Sequence, residues 1–191
     1  MGLRNTPHRW GAVAQFLHWL IVVLIIVQFS LAWYADTLPR GSHKVGVLAN
    51  HKSFGITILV LAIIRLGWRW VNPTPPLPST LKPYERALAR VTHALLYALL
   101  FAQPLTGWMM SSARGFPVSW FGFSFLTLPD LVPKNQSLYH ALVTTHSALA
   151  VLLLVVVALH VAAALKHHFV LRDNTLRRML PLSTPTQGTE R

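Results

Sequence analysis

The chain has 191 residues, of which 53% are hydrophobic and 12% are charged, and its mean hydropathy is +0.45. This composition is typical of a single membrane-embedded domain. The sequence contains no cysteine, which excludes disulfides, thiolate-held iron–sulfur clusters and the thioether attachment of a c-type haem. The formal charge of +12 does not indicate a nucleic-acid partner, because the basic residues flank apolar runs and suit anionic lipid headgroups.

Four long apolar runs divide the chain, at about residues 13–34, 47–68, 88–110 and 142–165. Each is long enough to cross the lipid bilayer, since about 20 apolar residues cover the hydrocarbon core as a helix. The sequence therefore predicts an all-α integral membrane protein, a bundle of four transmembrane helices. We expect residues 1–181 to form this one domain, with a loosely ordered chain after residue 165 and a polar tail at 182–191. The first run is too long for a cleaved signal peptide and carries His18, so we interpret it as a retained span.

The distribution of Lys and Arg predicts the orientation of the bundle. Four spans place both termini on one side, and that side carries twelve basic residues against five on the other. Because positively charged loops stay in the cytoplasm, both termini are predicted to be cytoplasmic. The twelve are Arg4, Arg9, Arg65, Arg69, Lys82, Arg86, Arg90, Lys166, Arg172, Arg177, Arg178 and Arg191, and the five are Arg40, Lys44, Lys52, Arg114 and Lys134.

The connection between the third and fourth runs, residues 111–138, is long for a structureless loop and rich in aromatic residues. Long loops of this kind are often functional. Its aromatic content predicts that it folds back onto the membrane surface as a lid.

The fourth run contains two ionisable residues, His146 and His160. They lie 14 residues apart, which corresponds to about 3.9 helical turns and about 21 Å along the helix axis. Both therefore point to nearly the same side of the helix, one near each membrane face. Ionisable groups inside a membrane mark functional sites, and two neutral histidines bonded to neighbouring helices are the alternative.

Histidines on the other helices match these two depths. His18 on helix 1 lies near the cytoplasmic face, at the depth of His160. His51 on helix 2 lies near the outer face, at the depth of His146. Two facing imidazoles in an apolar bundle are the axial ligands that a low-spin b-type haem requires. Gly55, one turn beyond His51, is predicted to leave room for the macrocycle.

A metal or proton pathway is the competing interpretation. Zinc usually takes four ligands at one point, with carboxylate or thiolate help, whereas these histidines divide between two depths. No Asp or Glu lies inside any predicted span, which also disfavours a carboxylate proton relay. The spacing therefore favours two haem sites, one near each face, with an electron path between them.

Around these histidines the chain resembles the bacterial cytochrome b561 family of small four-helix, di-haem, quinone-linked membrane proteins. The resemblance covers roughly residues 10–181, and the 14-residue spacing on helix 4 is its most specific element. Within the family the chain is most similar to the superoxide oxidase branch. The matching segments are residues 15–20 (QFLHWL), 50–56 (NHKSFGI), 65–69 (RLGWR), 72–76 (NPTPP), 92–97 (THALLY), 159–168 (LHVAAALKHH) and 172–179 (RDNTLRRM).

The resemblance implies two haem b cofactors and ubiquinone as the electron acceptor. Carried over by position, His18 and His160 would ligate the haem iron on the cytoplasmic side. His51 and His146 would ligate the haem iron on the periplasmic side. The implied function is oxidation of periplasmic superoxide to O₂ with reduction of ubiquinone, by a multi-pass protein of the bacterial inner membrane. The alternative is an electron-carrier or membrane-anchor subunit that links a soluble redox partner to the quinone pool.

Further residues are candidates for roles around the haems. Lys52 and Arg114 lie at the outer mouth, where positive charge would attract superoxide. Alternatively, Lys52 snorkels to the headgroups and Arg114 pairs with haem propionates. His167, about two turns past His160, is the candidate for quinone binding, with a basic interfacial cluster as the alternative. The role of His93 stays open, and three histidines are interpreted as loop or rim residues: His8, His43 and His140.

Overall fold

The computed structural model describes residues 2–7, 9–78 and 81–181. Its long helices are α1 (Ala12–Thr37), α2 (Ser42–Trp70), α3 (Pro83–Arg114) and α4 (Gln136–Leu165), and α4 continues into one π-helical turn, Lys166–Val170. All four are long and apolar enough to cross a membrane, and each contains one of the predicted spans. The prediction of a four-helix membrane protein is confirmed. The division into a domain and a polar tail stays a prediction, because residues 182–191 lie outside the described part.

Local sequence signals fix the ends of α3 and α4. Pro83 stands in the first turn of α3, where the backbone N–H of Lys82 donates to the Glu85 carboxylate at 3.1 Å. The helix ends at Gly115, whose φ of 79° is a left-handed conformation that glycine adopts without strain. α4 begins at Asn135, whose Oδ1 accepts a first-turn N–H at 2.9 Å. These caps fix where each helix starts, and hence the depth of the histidines along it.

The helices pack as a series of neighbours, α1 on α2, α2 on α3 and α3 on α4, whereas α1 and α4 make few contacts with each other. One buried cluster joins α1, α2 and α3 around Ile21, Ile58 and Leu100. A second joins α3 to α4 around Leu99 and Leu153. The side of the bundle between α1 and α4 is therefore the loosely packed one.

The outward faces of the helices are apolar and exposed. Ile26, Val151 and Leu159 have exposed fractions of 61%, 63% and 61%. Such a surface is unfavourable in water but matches lipid chains, which are as apolar as these side chains. The helices therefore present lipid-compatible side chains outward.

The connection between α3 and α4 folds back over one end of the bundle, which we call the loop end. It forms a two-stranded antiparallel hairpin of β1 (Val118–Ser119) and β2 (Thr127–Leu128). The Trp120 indole N–H donates to Thr57 Oγ1 at 3.0 Å. The Phe121 backbone N–H donates to Ser53 Oγ at 2.8 Å. The loop thus folds back as predicted, and hydroxyl groups of α2 hold it in place.

The two ends of the described chain meet at the opposite end of the bundle, which we call the terminal end. The Gln15 amide donates to the Arg178 carbonyl at 3.0 Å, and the Trp19 indole N–H donates to the Met179 carbonyl at 2.9 Å. The prediction of a loosely ordered chain after residue 165 is therefore wrong for residues 166–181. Polar composition does not reveal such bonds, because their acceptors are backbone carbonyls that every residue carries.

Candidate functional site

The terminal end brings together histidines from three helices. His18 on α1 faces His160 on α4, with ring centres 6.2 Å apart and ring planes at 71°. His93 on α3 is also close, with its ring centre 5.3 Å from that of His160. The pair of His18 and His160 thus spans the loosely packed side of the bundle.

The loop end holds a second pair. His51 on α2 faces His146 on α4, with ring centres 6.4 Å apart and ring planes at 77°. Because His146 and His160 lie 14 residues apart on one continuous helix, the two pairs are separated by about 21 Å along its axis. The structure brings the four histidines together in the same two pairs that the sequence suggested, and their role as haem ligands stays a prediction.

The spacing within each pair fits two axial ligands of one iron. An imidazole nitrogen binds a metal such as zinc at about 2.0 Å and lies about 1.1 Å from its ring centre, so rings on opposite sides of one iron have centres about 6.2 Å apart. The observed distances of 6.2 and 6.4 Å agree with this value. The 5.3 Å between His93 and His160 is too short. His18 therefore fits better than His93 as the partner of His160.

Hydrogen bonds at the loop end orient both imidazoles. His51 Nδ1 lies 3.3 Å from the Gln28 carbonyl, which can only accept, so Nδ1 carries the proton. The Thr106 hydroxyl donates to the Ala102 carbonyl at 2.8 Å, so its oxygen accepts from His146 Nδ1 at 3.2 Å. Both rings therefore keep Nε2 as the nitrogen with a free lone pair, which is the arrangement that outer hydrogen bonds give to metal-binding histidines.

Two glutamine side chains lie at the loop end. Gln103 Nε2 lies 3.3 Å from His146 Nε2. The Oε1 atoms of Gln103 and Gln28 are buried without a hydrogen-bond partner, which is rare and fits a site that accepts a further group. A ligand that binds His146 Nε2 must displace the Gln103 amide, and this flexible side chain can move.

Two glycines permit the close packing of this end. A Cβ at Gly107 would lie 3.0 Å from His146 Cε1, so α3 needs glycine there for the ring to pack against it. A Cβ at Gly55 would lie 3.1 Å from the Gln28 amide nitrogen. The sequence predicts that Gly55 leaves room for a macrocycle, whereas in the structure the Gln28 side chain lies against it.

Arg65 on α2 stands at the terminal end, 14 residues and therefore almost four turns after His51. Its Nη1 donates to the Ala14 carbonyl at 2.9 Å, one turn from His18. The guanidinium acts electrostatically on both His18 and His160. The terminal end therefore holds a fixed positive charge beside its histidine pair.

The two cations predicted for the outer mouth lie at the loop end and contact aromatic rings. Lys52 Nζ lies 5.6 Å from the centre of the Phe116 ring. Arg114 Nη1 donates to Gln136 Oε1 at 2.9 Å, and its guanidinium lies 4.9 Å from the Tyr139 ring centre. These contacts are cation–π contacts and a hydrogen bond to an uncharged amide, so neither contact involves an acid.

His167 lies in the π-helical turn after α4 and is paired with an acid. Its Nδ1 is 2.5 Å from Asp173 Oδ2, and both side chains are partly buried. Burial acts to raise the pKa of Asp173, but hydrogen bonds from Thr175 and His167 outweigh it and hold that pKa below its ordinary value. An imidazole held by a carboxylate at one nitrogen can exchange protons at the other.

The remaining histidines belong to neither pair, although His93 lies beside His160. His43 and His140 each bond a neighbouring side chain near a helix end, at 3.1 and 2.8 Å, which agrees with rim positions. His93 Nδ1 donates to the Ala89 carbonyl at 2.7 Å, within its own helix. His8 lies outside the described residues.

Sequence reasoning missed the polar neighbours of the histidine pairs. It did not consider Gln28, Gln103 and Thr106, and it treated Arg65 only as a cytoplasmic charge and as part of a segment that resembles the family. Each residue carried a signal. The first three are uncharged polar residues within apolar runs. Arg65 follows His51 on α2 by 14 residues, the same spacing that separates His146 and His160 on α4.

Known proteins are similar to this chain over most of its length. A family model described as prokaryotic cytochrome b561 matches residues 9–182. Cytochrome b561 homolog 2 of Escherichia coli K12 is 36% identical over 192 aligned residues, which cover 98% of this chain and 100% of the relative. Probable superoxide oxidase CybB of Yersinia pestis is 38% identical over 165 residues, which cover 86% and 92%. The chain therefore belongs to the prokaryotic cytochrome b561 family, whose members are membrane electron-transfer proteins that bind haem b and interact with quinones.

Proposed function

We propose that this protein is a di-haem cytochrome b that oxidises superoxide at one face of the bacterial inner membrane and reduces ubiquinone at the other. The observation that carries the proposal is the presence of two histidine pairs, with ring centres 6.2 and 6.4 Å apart, at opposite ends of one bundle. The similarity to the probable superoxide oxidase of Yersinia pestis supports the choice of electron donor.

In this proposal each pair holds one haem, His18 with His160 at the terminal end and His51 with His146 at the loop end. Bound haem b supplies a one-electron couple between ferric and ferrous iron. The chain's own contribution would be to hold the two imidazoles of each pair close together, with ring centres 6.2 and 6.4 Å apart, and to leave their Nε2 atoms for the iron. At the loop end, the hydrogen bonds to the two Nδ1 atoms support this role.

The orientation follows from the basic residues. The terminal end and its connections carry twelve Lys and Arg residues and the loop end carries five, so we place the terminal end in the cytoplasm and the loop end in the periplasm. Superoxide would therefore react at the loop end. Ubiquinone would be reduced at the terminal end, and electrons would move along α4 between the two.

The charge of the loop end favours an anionic donor. Its five basic residues stand against Asp36 and Asp130, which leaves a net charge of +3. Lys52 and Arg114 lie against aromatic rings and not against acids. Such a field raises the association rate of a small anion, and salt weakens it. Each superoxide gives up one electron and leaves as O₂, so this end requires no proton donor.

The terminal end requires protons, because one ubiquinone takes two electrons and two protons for every two superoxide ions oxidised. His167 is the residue that supports this step. Its Nδ1 is bonded to Asp173, so its other nitrogen is free to pass a proton at the end of α4. The residue lies about two turns past His160.

The test is a pyridine haemochrome count on purified protein, followed by addition of superoxide and then of a ubiquinone analogue. We expect two haems per chain, rapid reduction by superoxide and reoxidation by the quinone, with about two superoxide ions consumed per quinone reduced. A preparation without haem would overturn the proposal at its centre.

The second candidate function is an electron-carrier or membrane-anchor subunit for a soluble redox partner. The relative from Escherichia coli, cytochrome b561 homolog 2, carries no substrate in its name and covers the same length of chain. The test is to add dithionite and superoxide separately to the purified protein. If dithionite reduces both haems and superoxide reduces neither, the result supports this function and excludes superoxide oxidation.

A further inference from the structure

Arg65 places a positive charge against the terminal-end histidines. Its Nη1 donates to the Ala14 carbonyl at 2.9 Å, and the Tyr97 side chain on α3 is a further hydrogen-bond neighbour. Both neighbours are neutral. Ala14 lies one turn before His18 on α1, so the guanidinium stands at about the depth of the pair and slightly toward the rim.

The acids of the terminal end are engaged elsewhere. Glu85 pairs with Lys166 at 3.2 Å, and Asp173 pairs with His167. The other acids in the described part of the chain belong to the loop end. Within residues 2–7, 9–78 and 81–181, therefore, no carboxylate forms an ion pair with Arg65.

A guanidinium inside a transmembrane bundle needs a counter-charge. Removing a charge from water costs several kcal/mol, and such residues pair with an opposite charge or line a site. A guanidinium offers five N–H donors in a planar fork. One carbonyl and one tyrosine side chain cannot use all five, so donors remain for another acceptor. A carboxylate bound through both oxygens is the acceptor that matches this fork.

We propose that Arg65 binds a propionate of the haem held by His18 and His160. Haem b brings two carboxylates, whereas the described acids of this end, Glu85 and Asp173, are already paired. The 14-residue spacing between His51 and Arg65 means that α2 turns nearly the same face toward both pairs. It presents a histidine at the loop end and a guanidinium at the terminal end.

The inference rests on the proposed function, since it requires a haem at the terminal-end pair. It also has a consequence of its own for that haem. A positive charge fixed beside the group stabilises the reduced state, which is less positive, so Arg65 raises the midpoint potential. Removing the charge lowers the potential without removing either imidazole.

The experiment uses full-length protein carrying His51→Ala, so that the terminal-end haem is observed alone. Arg65→Gln, Arg65→Lys and Arg69→Gln are introduced into this background. Arg69 is the matched control, because it lies one turn further along α2 with its guanidinium 5.7 Å from the Tyr97 ring centre. The readouts are haem per chain, the midpoint potential from a spectroelectrochemical titration, and the propionate bending band in resonance Raman spectra.

We expect Arg65→Gln to lower the midpoint potential and shift the propionate band. Arg65→Lys should lower the midpoint potential much less than Arg65→Gln does, because lysine retains the charge. It should still shift the propionate band, because lysine lacks the planar fork. Arg69→Gln should change both readouts much less. Arg65→Gln could fail to retain haem, and the other two variants then decide. Haem retention by Arg65→Lys supports the inference. Equal loss of haem from Arg65→Lys and from Arg69→Gln overturns it.

Two results separate the inference from the proposed function. An unchanged potential and band in Arg65→Gln, or an equal change in Arg69→Gln, overturns the role of Arg65 and leaves the haem assignment intact. Absence of haem from the His51→Ala parent overturns the assignment of the terminal-end pair itself.

Discussion

The two histidine pairs have nearly the same internal spacing but different surroundings. At the loop end the hydrogen-bond partners of the imidazoles are uncharged, a backbone carbonyl, a hydroxyl and the Gln103 amide, and the cation Lys52 adjoins His51 in sequence. At the terminal end the neighbours are the guanidinium of Arg65 and a third histidine, His93. The two pairs thus share one spacing but differ in setting, neutral in hydrogen bonding at the loop end and positive at the terminal end.

The comparison separates the features that position the imidazoles from the features that would set the reduction potential of a bound haem. Helix register brings the two rings of each pair to the same depth, and packing around them, as at Gly107 beside His146, then sets their distance. The reduction potential of a haem with given axial ligands depends on the charges and hydrogen bonds around it. Positive charge at the terminal end would raise the reduction potential of a haem there and so draw the electron from the loop end. Superoxide oxidation at the loop end and quinone reduction at the terminal end require electron transfer in this direction.

The largest expected effect comes from removing one ligand of either pair. His146→Ala and His160→Ala should each remove about half of the b-type absorbance if each pair holds one haem, as proposed. A pyridine haemochrome count and reduced-minus-oxidised spectra measure this. His43→Ala, at the rim, is the control and should keep both haems. Retention of two haems in either variant would contradict the assignment of that histidine as a haem ligand.

The loop-end pair can be disturbed alone through its packing. Gly107→Ala places a Cβ 3.0 Å from His146 Cε1, so we expect roughly tenfold weaker haem binding at that end, as for other residues that orient a metal ligand. Haem titration of the apoprotein measures the affinity. Gly67→Ala is the control, because a Cβ there has no contact within 4 Å. Equal weakening of both haems would contradict the expectation.

The order of the two potentials tests the comparison directly. The haem retained in His51→Ala should titrate at a higher midpoint potential than the haem retained in His160→Ala, by on the order of tens of millivolts. Spectroelectrochemical titration of the two variants gives both values. The reverse order would mean that the neutral setting, and not the positive one, holds the electron.

The charges of the loop end should affect rate more than binding of haem. Lys52→Gln combined with Arg114→Gln should lower the rate of superoxide oxidation about threefold at low salt and flatten its salt dependence. Stopped-flow reduction at several ionic strengths measures both. Lys44→Gln tests whether any cation of this end matters equally. An unchanged rate would leave Lys52 and Arg114 with only their contacts to the aromatic rings.

The smallest effect concerns Asp173. Its pKa is lower in the folded protein than its ordinary value near 3.8, so its contribution to stability is complete above that value and is lost as the pH falls through the folded pKa. Asp173→Asn should therefore be slightly less stable than the wild type at pH 7, and the difference should shrink in acid. Thermal unfolding followed by circular dichroism at pH 7 and pH 3 measures it, with Asp130→Asn as the control. A gap that stays constant would contradict this account.

The helices and the pairing of the histidines were predictable because both follow from one-dimensional patterns. Hydropathy defines the spans, and a rise of about 1.5 Å per residue converts sequence position into depth along a helix. His51 and His146 could therefore be matched without knowing which helices touch.

The surroundings of the pairs were not predictable in the same way. The 5.3 Å approach of His93 to His160 depends on how α3 is rotated against α4, which depth does not determine. The bond from Arg65 to the Ala14 carbonyl uses a backbone acceptor, which leaves no mark on the sequence. Gln28 lies against Gly55 because a long side chain follows the available space, and composition does not report that space.

The bonds between α1 and residues 178–179 link parts of the chain that are synthesised far apart in time. Gln15 and Trp19 belong to α1, and their acceptors are carbonyls 163 and 160 residues later. Until those residues have been synthesised, the Trp19 indole N–H can bond only water or lipid headgroups, whereas the Gln15 amide can already donate to the Trp10 carbonyl at 3.1 Å. α1 therefore completes these polar contacts only after the later segment has been made and closes over it.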